Sequence, residues 1–401
     1  MKNLKIFAGV IVISLSLVTG CKKDAGTDSV IVPKNQIENK YSFRQSNALS
    51  VESKAKLAKL RASLPAGYEK RLKQNSALLL KRHPEYRSMV LRAMNVIEPT
   101  PCDGNTVLFQ WLGSELSDWD GDHFFFAIIT GMIDFPTYDA LFFENSSANQ
   151  YFGVNGEYSQ RETKAFKDLK RFYNIQSNNI VFGAMHGKML LDRNKLIRID
   201  MILFGDSQPI AEFWADLILS LLRDFPQYRN GNHPIFTFNA FALESFNFPL
   251  FGVIPSKIIM GDGIIDGYKA IGFADVAPQA VVAHEFGHHI QFQLGLFGNE
   301  SSPEATRRTE LMADAYSAYY LSHSRGAAMQ WKRVKQFLQV FLNIGDCAFN
   351  NNGHHGTPTQ RMAAAEWAYS VANNAQKQGH ILTVQQFTAL FDAQLPKLVT
   401  P

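Results

Sequence analysis

Val281-Val282-Ala283-His284-Glu285-Phe286-Gly287-His288-His289-Ile290-Gln291, read as VVAHEFGHHIQ, packs three histidines and one glutamate into six positions between apolar residues. Ala277-Pro278 ahead of it is a helix start, and Gly295 beyond it is a helix stop. At about 100° per residue, His284 and His288 differ by about 400° and project from one face, one turn apart. His289 lies about 140° from His284 and cannot share its target. Two imidazoles so spaced can both place a nitrogen about 2.0–2.1 Å from one Zn²⁺. Glu285, beside the first histidine, can reach a metal-bound water without being a ligand. This is the H-E-x-x-H arrangement, with glutamate as general base. Gly287 has no side chain, which leaves room for another segment to approach the helix.

The signature recurs by chance, and catalytic zinc keeps three protein ligands plus an open position, so a third ligand is required. Ser302-Pro303 opens a further helix that carries Glu310-Leu311-Met312-Ala313-Asp314. Glu310 and Asp314 share a face one turn apart. An acidic pair is usually a solvated face. Here the surrounding Leu311, Met312, Ala313, Ala315, Tyr316, Ala318 and Tyr319 describe a buried helix, and buried carboxylates need partners. Glu310 is therefore read as the third ligand. Asp314 is read as the acceptor of a second imidazole N–H, which fixes that ring's tautomer.

His354-His355-Gly356-Thr357-Pro358-Thr359-Gln360-Arg361 follows later. Thr357 with Gln360 makes a capping box, and Pro358 takes the first helical position. Both histidines then precede a helix N-terminus. Either one can donate a hydrogen bond to the oxyanion of a tetrahedral intermediate, or both are surface loop residues.

The chain has 401 residues, 46% hydrophobic and 19% charged, with 31 phenylalanines, enough for one large core or two smaller ones. Lys2 and Lys5 precede an apolar run from Ile6 to Val18, which is short for a membrane span and suits an export signal. Val18-Thr19-Gly20-Cys21 resembles a bacterial lipobox, with Cys21 lipidated as the first mature residue. The lipid tethers rather than embeds the chain. No later run reads as a transmembrane helix. The formal net charge is +4, and loss of residues 1–20 lowers it by two lysines, a balance too weak to argue for nucleic acid or an anionic membrane surface, so no nucleic-acid partner is expected. Cys102 and Cys347 remain as a pair in an oxidising compartment, free to form a disulfide or to stay as buried thiols.

Residues 1–20 read as signal peptide, 21–50 as a lipidated tether, 51–205 as a mostly helical region and 206–401 as a zinc peptidase domain. Within these, Leu57, Leu60 and Leu64 line one helical face, and Pro65-Ala66-Gly67 breaks it. Helices are expected over Glu157–Tyr173 and Glu212–Arg223. Strands are expected over Pro234–Leu243 and Ser256–Met260, followed by a turn at Gly261-Asp262-Gly263. His83, His123, His186, His233, His323 and His380 stand apart from other ligand types.

VVAHEFGHHIQFQ, then TELMADAYSAYY, then GD…HGTPTQR resembles the neutral zinc metallopeptidases of bacteria, of gluzincin type, over about Ile258 to Trp367. The resemblance implies one zinc ion on His284, His288 and Glu310, with Glu285 as base and Asp314 behind a ligand. It also points to His355 for a role near the substrate. The chain departs from the family at Met312 and Ala315, where the pattern has Gln and Cys. The implied fold is α+β, a mostly helical zincin with a small antiparallel sheet over the zinc helix. The implied function is hydrolysis of peptide bonds in a protein or peptide substrate through a zinc-bound water. The strand Lys257–Met260, if it is an open edge, can pair with an extended peptide. The competing readings are a non-catalytic, surface-tethered zinc module that binds a partner, and a zinc amidase acting on cell-wall peptides. Each places the chain at the bacterial cell envelope, on the membrane through Cys21.

Overall fold

The structure, a computed structural model, describes residues 50–82, 106–248, 252–297, 302–344, 356–378 and 380–399. The export signal, Cys21, nearly all of the tether, His83, Cys102, Cys347, His354 and His355 lie outside these residues. Helices α1 (Val51–Ala62), α2 (Tyr68–Arg82), α3 (Val107–Glu115), α4 (Gly121–Thr130), α5 (Phe135–Phe142) and α6 (Ser159–Phe172) lead to strand β1 (Val181–Met185). After α7 (Arg193–Ile199) and α8 (Gln208–Asp224) come β2 (Ala240–Leu243), β3 (Phe246–Phe248), β4 (Gly252–Ile254) and β5 (Lys257–Gly261). The chain finishes with α9 (Asp262–Ala270), α10 (Ala277–Leu294), α11 (Pro303–Ser322), α12 (Trp331–Ile344), α13 (Pro358–Gln378) and α14 (Val384–Leu398). The architecture is α+β and mostly helical.

The sheet is mixed, not antiparallel as expected. Its order is β1-β5-β2, with β5 parallel to β1 and antiparallel to β2. β3 and β4 form a separate antiparallel hairpin. The sequence Val181-Phe182-Gly183-Ala184-Met185 is short and interrupted by glycine, so it reads as part of a helical region until its partner is known. β5 lies in the middle of the sheet and is bonded on both sides, which overturns the reading of Lys257–Met260 as an open edge for a peptide. The sheet takes β1 from the 51–205 segment and β2 and β5 from the 206–401 segment, so strand pairing crosses the expected boundary.

Only the second half of Pro234–Leu243 is strand. Pro234–Thr237 is a 3₁₀ turn, because the His233 ring caps it by accepting from the Ile235 N–H (3.2 Å). The Gly261-Asp262-Gly263 turn is in fact the junction of β5 with α9. A Cβ on Gly261 would sit 2.1 Å from the Thr237 carbonyl oxygen and 2.5 Å from that of Asn239, so only glycine fits there.

Leu57 is buried in α1, with Leu60 and Leu64 packed on the same core. On the basic face of the first two helices, not every described side chain is solvated. Arg71 is buried beneath Trp214 and Phe204 and forks onto Asp200 (2.7 Å) and Asp206 (2.5 Å), which fixes α2 to the body. The run Gly121–Phe142 has the length and hydropathy of a membrane span, contrary to expectation, but it folds as α4 and α5 and most of it is buried. The ammonium of Lys257 is fully buried on β5 and donates to the carbonyls of Ala140, Leu141 and Glu144, which closes the end of α5.

Two buried histidines lock neighbouring segments in their neutral form. His233 Nε2 donates to the Glu115 carbonyl (3.0 Å), and His289 Nε2 donates to that of Lys257 (2.8 Å), binding α10 to β5. Burial lowers their pKa values from 6.5 to about 3 and about 4. The unfolded chain therefore takes up protons that the folded chain refuses. Stability is expected to be fully present above pH 6.5 and to fall as pH drops toward 4, by up to about 1.4 kcal/mol per pH unit for each group. Denaturant midpoints from pH 7 to pH 4, compared with His233→Gln, measure this; an unchanged pH slope in the variant contradicts it.

Candidate metal-ligand site

Helix α10 runs from Pro278 near its first turn to Gly295, whose left-handed φ of 64° ends it. His284, Glu285, His288 and His289 are all buried on it. The opposing helix α11 starts at Ser302, whose side chain accepts from the Ala305 N–H. At Gly287 the two helices touch: a Cβ there would stand 3.0 Å from Ala313 Cα and 3.2 Å from its carbonyl oxygen. The missing side chain of Gly287 thus brings Glu310, one turn before Ala313, opposite the two histidines.

The three side chains converge. His284 Nε2 and His288 Nε2 are 3.1 Å apart. Glu310 Oε2 is 3.5 Å from the first, and Oε1 is 3.5 Å from the second. Among the described residues this is the one group of three ligand-type side chains whose donor atoms lie within 4.8 Å of one another, and all three are buried. It is a group able to hold a metal ion. Glu285 is also buried, at 3% exposure, and its charge acts on His284.

Each imidazole is held from behind. His284 Nδ1 lies 2.8 Å from Asp314 Oδ1, as the sequence predicts. His288 Nδ1 lies 2.8 Å from Gln291 Oε1, and the Gln291 amide donates in turn to the Thr309 carbonyl (2.6 Å), next to Glu310. Both Nδ1 positions face acceptors, so both Nε2 lone pairs face the same point. An acceptor behind each Nδ1 is the usual support of a metal-binding histidine. Burial disfavours charge on His284, but Asp314 and Glu310 outweigh it and push its pKa up to about 9. His288 is pushed down to about 4 by burial and by the charge on His284, against the pull of Glu310.

Asp314 is fully buried and has a second partner that sequence reading did not assign. Arg361, in the first turn of α13, forks onto it with Nε to Oδ2 and Nη2 to Oδ1, both 2.7 Å, and its Nη1 lies 3.7 Å from Glu310 Oε2. The expected capping box places it: Thr357 Oγ1 accepts from the Gln360 N–H and Gln360 Oε1 from the Thr357 N–H, both at 3.1 Å. The signal for Gln291 was its spacing of three from His288 in the opening stretch. Arg361 had none beyond its place in a motif.

Tyr316 donates to Val384 and shares a hydrogen bond with Thr388, while the Tyr319 hydroxyl accepts from the Leu382 N–H. Phe286 and Tyr268 are core. His186, expected to stand apart, pairs with Asp262 at 2.8 Å. Phe297 is 42% exposed with its ring 6.2 Å from that of His288, an apolar surface beside the ligands. No family model, no curated protein and no solved structure matches this chain.

Proposed function

We propose that the chain is a zinc-dependent metallopeptidase with a zincin-like, gluzincin-type site, lipid-anchored at Cys21 to the bacterial cell envelope. The convergence of His284, His288 and Glu310, with Glu285 on the same helix, carries this reading. Donor atoms about 2.0–2.2 Å from a tetrahedral zinc lie roughly 3.3–3.5 Å from one another, and the spacings of 3.1, 3.5 and 3.5 Å fit that ion. Three protein donors leave one coordination position for substrate or water, as in catalytic zinc sites.

When bound, zinc supplies a Lewis acid for the scissile carbonyl and a lowered pKa for the attacking water. Glu285 takes the water's proton and passes it to the leaving amine nitrogen. Asp314 and Gln291 keep both rings turned with Nε2 toward the ligand point. Phe297 offers an apolar contact to a substrate side chain.

The full chain, zinc-loaded, chelated and resupplied with zinc, is to be given a mixed peptide library and a set of cell-wall peptides, with products read by mass spectrometry. Cleavage of the library that vanishes on chelation and returns with zinc is the expected result. Cleavage of cell-wall peptides alone moves the assignment to a zinc amidase. A zinc-bound chain that cleaves neither overturns catalysis in favour of a tethered binding module.

A further inference from the structure

Past Leu294 the chain doubles back on the helix that carries the histidines. The left-handed Gly295 lets the Leu296 N–H reach the Gln291 carbonyl (3.0 Å) and the Gly295 N–H reach that of Phe292 (3.1 Å). This pair of bonds is the reversing cap that a left-handed residue makes just beyond a helix end. Two residues after the glycine, the Phe297 ring lies back against α10 and stacks on Phe292 at 4.7 Å and 29°. Phe292 in turn meets the His289 ring at 5.5 Å and 78°, and His289 Nε2 donates to the Lys257 carbonyl of β5 (2.8 Å). Two ring contacts and one hydrogen bond thus tie Phe297 to the sheet.

Phe297 is the one exposed phenylalanine among the described residues. A lone exposed apolar side chain is ordinary on a protein surface. The neighbour of this one sets it apart. Its ring centroid is 6.2 Å from that of His288, which is itself buried. Gln291 takes the His288 Nδ1, so the other nitrogen of that imidazole is the one turned toward His284 and Glu310. A group held where those three side chains converge is therefore one imidazole away from an aromatic ring that the protein fixes in place and leaves exposed. A side chain next to a bond held at that point has the reach to lie on the ring.

We propose that Phe297 is a specificity-determining residue, the wall of a subsite that selects substrates with an aromatic side chain beside the bond to be cleaved. The proposal rests on the metallopeptidase reading of His284, His288 and Glu310. Phe292 and Phe297 already form a stacked pair, and a third ring extends it in the offset or edge geometry that aromatic groups prefer. An aliphatic side chain gains from burial on the same surface but not from that geometry. Because the pair is held by the helix cap and by His289, little side-chain freedom is lost when a substrate ring settles on it.

The test measures binding rather than turnover. Two hydroxamates that differ only in a benzyl or a methyl side chain are titrated calorimetrically into the zinc-loaded full chain, and zinc content is measured for every variant. The benzyl compound is expected to bind about tenfold more tightly than the methyl one. Phe297→Ala is expected to remove most of that difference while the methyl compound binds within about twofold of its parent affinity. Phe297→Leu, which keeps apolar surface without a ring, should fall between. Equal affinities in the parent, a preference unchanged in Phe297→Ala, or loss of zinc from that variant overturns the subsite. A parent chain that takes up no zinc, or holds zinc and binds neither hydroxamate, overturns the open metal position and the subsite with it. Benzyl preference that depends on Phe297, in a chain that cleaves no peptide, upholds the subsite and removes only the peptidase reading.

Discussion

Replacing Glu285 by glutamine is expected to lower kcat for peptide hydrolysis by about 10²–10⁴-fold while the chain still binds one zinc ion. Glutamine keeps the length and shape of the side chain but cannot accept a proton from water. The proposed ligand set is His284, His288 and Glu310, whose mutual spacings are complete without Glu285. Metal content and kcat therefore separate the two roles open to a buried glutamate beside His284. If zinc is lost with activity, Glu285 is holding the site together rather than moving a proton. If activity survives, the base lies elsewhere and the H-E-x-x-H reading fails. KM should change little, because the proposed role sets Glu285 against the attacking water and not against the substrate's side chains.

The parts of this site that depend on local geometry were legible in the sequence. The 400° separation of His284 and His288 follows from helical pitch alone, as does the pairing of Glu310 with Asp314 one turn on. Pro278, Gly295, Ser302 and the Thr357/Gln360 box mark helix ends by their own hydrogen-bonding chemistry, so those boundaries fell close to their observed places. What was not legible depends on partners far along the chain. β1 is five residues long, and its parallel neighbour begins 76 residues after Val181, so nothing in Val181–Met185 announces a strand. That missing strand changed the sheet from antiparallel to mixed and closed the edge assigned to β5. His186 became a partner of Asp262 for the same reason. Arg361 is 47 residues from Asp314, and its burial arises only when α13 packs on α11.

That same packing makes Arg361→Met the variant with the largest expected loss of stability. Arg361 and Asp314 are 2% and 0% exposed, and both bonds of the fork are 2.7 Å. Removing one partner of such a pair leaves a buried carboxylate without its counter-charge, at a cost of about 3–5 kcal/mol. The remaining Asp314 carboxylate is also free to rotate away from His284 Nδ1, so zinc affinity is expected to fall by about 10–100-fold. Arg361→Lys should fall between, because an ammonium restores charge but not the planar two-point contact that orients the carboxylate. The double variant Arg361→Met/Asp314→Asn separates the two effects. Asparagine carries no charge to strand, so stability should recover most of the way. Its amide oxygen still accepts from His284 but is no longer fixed by the fork, so zinc affinity should stay low. Denaturant unfolding and competitive zinc titration measure the two quantities. A single variant as stable as the parent, with unchanged zinc affinity, would show that the fork neither supports α13 nor orients the ligand.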